Sequence, residues 1–174
     1  MPNAKLTKST YKNTEEVSSF YNYIIMLLLY LNAIINLYRQ IIMQDKNAFS
    51  NAGRFFDIKF IKSDGNLYTY EVTFPRESTS PLELVQGGMI DSALDEATSW
   101  TVHKAFENKK LPFTTDHHVL FHRPIKIGKA TIKSEIIKKG STVTTVEGKL
   151  YDQDNKLVAT MLHTALPTDP IKLK

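Results

Sequence analysis

The sequence of 174 residues contains no cysteine. Disulfide bonds, cysteine nucleophiles and cysteine-based zinc sites are therefore excluded. A serine nucleophile-elbow sequence is also missing, which sets aside hydrolases of the Ser-His-acid type. The formal net charge is only +4, and no basic arm with interleaved aromatic side chains is present. We therefore expect modest attraction to anionic ligands and no binding of nucleic acid.

Residues 1–19 lack the apolar side chains that a core requires, and we expect a loose arm there. The basic, Ser/Thr-containing start is weakly similar to an organelle-targeting sequence, although it contains no arginine. A mitochondrial location is the expectation from this segment, with a cytoplasmic location as the alternative.

Residues 17–38 lack any charged side chain. About 20 apolar residues suffice to cross a bilayer, so this stretch is long enough. On a helix, Asn22, Asn32 and Asn36 fall on one narrow stripe, which would face protein. We predict a hydrophobic helix over residues 20–43 that either contacts a membrane or packs in an assembly, and both alternatives stay open. The chain is thus divided into an arm and helix over 1–50 and a globular domain over 51–174.

A pair of adjacent glycines, Gly87 and Gly88, opens an apolar repeat at helical spacing that continues to Trp100. A helix is predicted from Gly87 to Phe106. Its first amides have no partner inside the helix and carry partial positive charge, which suits an anion or an oxyanion. Asp95 follows about two turns later. From the residues alone, a core helix with Asp95 on a solvated face is the favoured interpretation.

The rest of the globular chain is rich in β-forming residues separated by turn signals. Asp64-Gly65 predicts a hairpin turn between the first two strands. Two strands precede one long helix and four strands follow it. This order indicates an α+β fold with an antiparallel sheet that curls around the helix. The predicted strands cover residues 54–62, 67–74, 115–123, 126–138, 142–152 and 157–166.

This order of elements resembles the hotdog fold, and the residues resemble the PaaI-like acyl-CoA thioesterases. The stretch Val85-Gln86-Gly87-Gly88 followed by Asp95 is similar to their His/Gln-Gly-Gly…Asp motif, here in its glutamine form. The stretch from Thr114 to Ile125 is similar to the family's next strand. The resemblance covers residues 54–168 and implies a hotdog fold with a dimer, or a larger homo-oligomer, as the active unit.

The resemblance also implies roles for individual residues. Asp95 would act as general base or nucleophile, opposite the Gly-Gly loop of the other protomer. The backbone amide of Gly87, with Gly88 beside it, would polarise the thioester carbonyl. Gln86 replaces the histidine of many members and can donate a hydrogen bond but not shuttle a proton. Thr114 lies where a hydroxyl often holds a water or the carboxylate.

Two further positions matter for this comparison. Ser80 stands where the family often has an asparagine, which bears on the rate more than on the fold. Glu96, at the edge of the apolar stripe, is the backup carboxylate.

A set of basic and hydroxyl side chains lies near predicted strand ends and could meet the phosphates of coenzyme A. The alternative is that its lysines are ordinary solvated side chains. The set comprises Arg123, Lys126, Lys138, Lys139, Ser141 and Thr142.

No cofactor or metal is expected. His118 and His122 would share a strand face but lie roughly 13 Å apart, so one ion cannot bind both. His117 would point to the other face, and His163 is predicted to be a surface or interface residue of its strand.

Two functions are therefore open. The first is hydrolysis of an acyl-CoA thioester. The second is a hotdog domain with reduced catalysis that serves as a structural or acyl-binding subunit of a membrane-associated complex.

Overall fold

The computed structural model describes residues 21–34 and 50–170. The chain divides into two units, Met1–Lys46 and Asn47–Lys174. The predictions for the N-terminal arm and for the rest of the hydrophobic segment lie outside the described residues.

The described part of the first unit is a helix, α1, over residues 21–34. Its large apolar side chains are exposed, with Met26 at 68% and Tyr23 at 67%. Among the residues that the structure describes, no helix is both long and apolar enough to span a bilayer.

The second unit begins with a short helix, α2 (Asn51–Phe55), where the sequence predicted the start of a strand. That prediction was wrong because Ser50 caps the segment. The Ser50 Oγ accepts hydrogen bonds from the amides of Ala52 and Gly53 at 3.0 and 3.2 Å, which satisfies donors at a helix start.

The predicted hairpin follows, formed by β1 (Lys59–Asp64) and β2 (Leu67–Phe74). Gly65 in its turn has a positive φ of 56°, which a residue without Cβ adopts readily. A 3₁₀ turn, Arg76–Ser78, then leads toward the central helix.

The central helix, α3 (Gly87–Ala105), confirms the predicted long helix to within one residue. Four strands come after it: β3 (Leu111–Phe121), β4 (Gly128–Lys138), β5 (Thr144–Tyr151) and β6 (Leu157–Thr168). All pairings are antiparallel, and the sheet has the order β1-β2-β4-β5-β6-β3. The hotdog fold is thereby confirmed.

The core lies between α3 and the inner face of this sheet. Leu94 and Ala97 of the helix are fully buried, as are Ile132 and Leu150 of the sheet. Burying a leucine or isoleucine side chain contributes about 1.5–3 kcal/mol. The helix packs tightly on the sheet at Gly148, where an added Cβ would sit 2.8 Å from a methyl group of Thr98.

Strand β3 is one edge of the sheet, with β6 as its neighbour. It carries large exposed apolar side chains, with Phe113 at 45% and both Leu120 and Phe121 at 53%. Pro112, which the sequence placed in a break, lies inside this strand, a position that an edge strand tolerates.

Candidate active site

Asp95 and Thr114 meet between the central helix and the edge strand. The Thr114 hydroxyl donates a hydrogen bond to Asp95 Oδ1 at 3.0 Å. The pairing of β3 with β6 shifts register between Thr114 and Asp116, so the strand bulges by one residue there. Bulges redirect side chains and are frequent beside active sites. The Asp95 side chain remains 37% exposed, so a water molecule can reach it.

His163, from β6, lies directly behind Thr114. Its Nε2 is 3.1 Å from Thr114 Oγ1 and 3.7 Å from Asp95 Oδ1. Its Nδ1 is 2.7 Å from the hydroxyl oxygen of Thr98 on α3. The prediction that His163 is a surface or interface residue was wrong, because the side chain is fully buried against the helix.

The burial of His163 follows the alternation of buried residues along β6. Met161, His163 and Ala165 are buried, whereas Leu162 and Leu166 are exposed. Because both faces of this strand carry apolar residues, period-2 alternation alone does not identify the inner face.

Burial lowers the pKa of His163, which favours the neutral imidazole. The nearby Asp95 carboxylate acts in the opposite direction, and His117 adds to the lowering. A buried neutral histidine beside a partly exposed carboxylate is an arrangement more typical of functional sites than of a plain core.

His117 of β3 is a second residue that the sequence did not assign to this site. Its Nε2 is 3.6 Å from Asp91 Oδ2, and its Nδ1 is 4.0 Å from Asp95 Oδ1. The other Asp91 oxygen, Oδ1, is buried without a hydrogen-bond partner among the described residues. Asp91 and Asp95 thus lie beside β3, and both side chains remain about one-third exposed.

The Gly-Gly loop is held in place by backbone hydrogen bonds. The Val85 amide donates to Ile125 O at 2.9 Å, and the Gln86 amide donates to Ser78 O at 2.9 Å. Gln86 is the N-cap residue of α3, and its side chain makes no capping hydrogen bond. The amides of Gly87 and Gly88 come next, in the first turn, where helix amides have no internal acceptor.

These amides and Asp95 do not converge within one protomer. Asp95 lies eight residues after Gly87 on the same helix. At 1.5 Å per residue this is about 12 Å along the axis. A single carbonyl group cannot contact both the Gly87 amide and the Asp95 carboxylate of one chain, because each contact requires about 3 Å.

Glu96, the backup carboxylate, faces away from Thr114. Trp100 Nε1 donates a hydrogen bond to Glu96 Oε1 at 3.1 Å, and this oxygen lies 2.8 Å from where a Cβ on Gly53 would be. Burial is the main influence on Glu96 and raises its pKa, whereas the polar groups of Ser50 and Gly53 act in the opposite direction. Successive helix residues differ by about 100°, so Asp95 and Glu96 contact different elements.

The predicted cluster for coenzyme A is separated into two groups. Arg123 and Lys126 lie in the connection from β3 to β4, next to Ile125, which accepts the Val85 amide. Lys126 lines an open cleft of about 340 Å³. This group therefore lies beside the loop that precedes Gly87.

The second group lies at the far end of β4, about 30 Å away at the rise of an extended strand. It contains Lys138, Lys139, Ser141 and Thr142. Lys139 Nζ donates to Ala105 O at 2.6 Å, which places a positive charge beside the partial negative charge at the C-terminal end of α3. The strand between the groups rules out one cluster in a single protomer, while their role in binding coenzyme A stays a prediction.

An antiparallel sheet wrapped around one long helix defines the hotdog class of fold. The thioesterase superfamily matches residues 83–159. Over 109 residues the chain is 31% identical to a protein of Saccharolobus solfataricus provisionally assigned as an esterase, covering 61% of this chain and 75% of the relative. The chain belongs to the thioesterase superfamily.

Two solved structures show the same fold. A protein of Ralstonia eutropha related to phenylacetic acid degradation, provisionally a thioesterase, has a TM-score of 0.65 at 24% identity over 72% of this chain and 96% of its own. A protein of Streptococcus mutans bound to acetyl-CoA has a TM-score of 0.59 at 16% identity, with coverages of 72% and 94%. The resemblance to hotdog thioesterases of the PaaI-like type is confirmed.

Proposed function

We propose that this thioester hydrolase acts on acyl-CoA, with Asp95 as the general base that activates water. The observation that carries the proposal is the Asp95 carboxylate, which is one-third exposed and accepts the Thr114 hydroxyl at 3.0 Å. A hydrogen-bonded but accessible carboxylate can take a proton from a water that attacks a carbonyl carbon.

The chemistry then needs two groups of the protein, the Asp95 carboxylate and the Gly87 amide. Asp95 removes a proton from the water as its oxygen bonds to the thioester carbon. The amide of Gly87 donates to the carbonyl oxygen as negative charge develops there. The carbon–sulfur bond breaks, the thiolate of coenzyme A leaves, and the proton on Asp95 is available to it. Trapping of an acylated Asp95 by rapid quench and mass spectrometry would instead establish the nucleophilic route.

The second element of the proposal is that two protomers build each site. Gly87 and Asp95 are separated by about 12 Å along one helix, and the proposal therefore places the amide and the carboxylate of one site on different chains. Strand β3 supports this arrangement, because it is a sheet edge with exposed Phe113 and Leu120. Unpaired strand edges pair readily with a second chain.

A mixing experiment with two inactive variants tests this composition. Asp95→Asn removes the base, and Gly87→Pro removes the amide. Proline suits the first helical position, and the extended Gln86 before it, with φ −67° and ψ 140°, is compatible with proline. We expect each variant to be inactive against a panel of acyl-CoA thioesters and a refolded mixture to recover activity, since a mixed dimer holds one intact site.

No recovery in a mixture that contains proven heterodimers would reject the shared site. An inactive wild-type protein with normal folding would instead favour the alternative of a structural or acyl-binding subunit.

The proposal assigns coenzyme A first to Arg123 and Lys126, because they lie beside the loop that precedes Gly87. The Streptococcus mutans protein of this fold is bound to acetyl-CoA, which supports a coenzyme A thioester as substrate. We expect Lys126→Ala to raise KM for an acyl-CoA but not for the matching thioester without the nucleotide.

Lys138→Ala is the matched control, because it removes an exposed lysine at the other end of β4. Equal effects of the two variants on both substrates would reject a specific role for Lys126. An effect of Lys138→Ala on KM for acyl-CoA alone would instead assign phosphate binding to the end of β4 that carries Lys138.

A further inference from the structure

The Thr114 hydroxyl lies between two groups that can both accept its proton. Its oxygen is 3.0 Å from Asp95 Oδ1 and 3.1 Å from His163 Nε2. A hydroxyl has one proton, and an ionised carboxylate can only accept. The state of Nε2 therefore decides which of the two groups receives the Thr114 hydrogen bond.

On the other side of the ring, Thr98 can serve either tautomer of His163. Its hydroxyl oxygen is 2.7 Å from Nδ1 and 2.8 Å from the carbonyl oxygen of Leu94 one turn earlier. If Nδ1 is bare, Thr98 donates to it. If Nδ1 carries the proton, Thr98 accepts from it and donates to Leu94 instead. Thr98 therefore does not select the tautomer by itself.

Asp95 makes the selection. With a proton on Nε2, the ring donates to Thr114, and Thr114 in turn donates to Asp95. With an unprotonated Nε2, the ring accepts the hydrogen bond from the Thr114 hydroxyl. The Thr114 oxygen then faces an ionised carboxylate oxygen at 3.0 Å with no hydrogen between them. The second arrangement is repulsive, so the ionised carboxylate favours the Nε2–H form.

We propose that His163 is a positioning residue of the thioesterase site, whose Nε2–H fixes the Thr114 hydroxyl so that its proton is directed at Asp95. This inference rests on the proposed role of Asp95 as the base. Among the described residues, the side-chain contacts of Asp95 all involve Oδ1. The relay therefore anchors one carboxylate oxygen and leaves Oδ2 to take a proton from water.

The surroundings of His163 support a neutral, tautomer-specific ring. The titratable groups that face it are Asp95 from α3 at 3.7 Å and His117 from β3, whereas β5 presents the apolar Val146 opposite it. Burial lowers the pKa of His163, so near neutral pH the ring has a single proton to place. Which nitrogen holds that proton is then set by its partners.

The direct test is ¹⁵N NMR of the full-length wild-type protein labelled at histidine. His163→Gln identifies the His163 signals by their disappearance. We expect Nε2 to show the chemical shift of a protonated ring nitrogen and Nδ1 that of a bare one. The opposite assignment would overturn the inference. This measurement does not depend on activity, so it remains valid even if Asp95→Asn proved fully active and the proposed function failed.

Kinetics provide a second test with a matched pair of variants. Glutamine at position 163 places an amide nitrogen near the position of Nε2 and can still donate to Thr114. Asparagine is shorter, reaches only the position of Nδ1, and leaves Thr114 without its donor. We expect His163→Asn to lower kcat by about 10- to 100-fold with little change in KM, as for loss of a charge-linked hydrogen bond. His163→Gln should retain most activity, and equal losses in both would assign His163 to packing.

A double variant checks that His163 acts through Thr114. In the Thr114→Val background the relay is already broken, so adding His163→Asn should cause no further loss of kcat. Independent losses that multiply would contradict the proposed route from His163 to Asp95.

Discussion

Two neighbouring carboxylates on α3, Asp95 and Glu96, differ in exposure and in hydrogen-bond partners although they are adjacent in the chain. Asp95 is one-third exposed and receives its hydrogen bond from a hydroxyl on the edge strand. Glu96 is 8% exposed, accepts a hydrogen bond from the indole of Trp100 and lies against Gly53 of α2. The Asp95 face of the helix is open to a substrate, whereas the Glu96 face holds the N-terminal end of the domain against the core.

The largest expected difference between these faces is in catalysis. Asp95→Asn should lower kcat by about 10²–10⁴-fold, the usual contribution of a general base, and leave thermal stability near wild type. Glu96→Gln is the matched control, because it also exchanges a carboxylate for an amide on the same helix turn. Its kcat should stay close to wild type in the same acyl-CoA assay. Comparable losses of kcat in both variants would remove the functional distinction between the faces.

The next effect is on stability and affects the Glu96 face alone. An added Cβ at Gly53 would lie 2.8 Å from Glu96 Oε1, so Gly53→Ala should displace the carboxylate from α2. We expect a loss of about 1–3 kcal/mol in the free energy of unfolding, typical of overpacking. Denaturant unfolding measures it, with Gly88→Ala as control, because a Cβ there meets no atom within 4 Å. Equal destabilisation by both would show that Glu96 is not held as described.

The smallest effect is the pH dependence that Glu96 gives to stability. Burial raises its pKa above the ordinary value of 4.5, so the folded protein binds this proton more tightly than the unfolded chain does. The resulting stabilisation is complete below 4.5 and is lost as pH rises through the folded pKa. Unfolding free energies of wild type and Glu96→Gln, compared across that range, should converge or cross as the pH falls. A constant difference would contradict the raised pKa.

Local sequence patterns predicted much of this molecule. The glycine pair and the apolar repeat predicted α3 to within one residue, because helix starts and 3.6-residue periodicity depend on neighbouring residues. The Asp64-Gly65 turn predicted the first hairpin for the same reason. The family resemblance drawn from the glycine pair and Asp95 is also confirmed, since the thioesterase superfamily matches residues 83–159.

Other features depended on contacts between distant parts of the chain. His163 was misassigned because β6 is apolar on both faces, and only its packing on α3 shows which face is buried. The start of the domain was predicted as a strand because the local signal of the Ser50 cap was missed and because the contact of Gly53 with Glu96 is not visible in a local pattern. Arg123 and Lys138 are both basic residues near predicted strand ends, and this shared feature placed them in one cluster. In the structure the length of β4 separates them.

The sequence by itself determined the central helix, the turn positions, the antiparallel α+β class and the presence of Asp95 on the helix, since periodicity and turn chemistry act over a few residues. Only the tertiary structure decided which of two adjacent carboxylates meets a hydroxyl in an accessible site and which is buried under α2. It also decided that His163 stands behind Thr114. The physical reason is that burial and hydrogen-bond partners are set by strands and helices 19 to 65 residues apart in the chain.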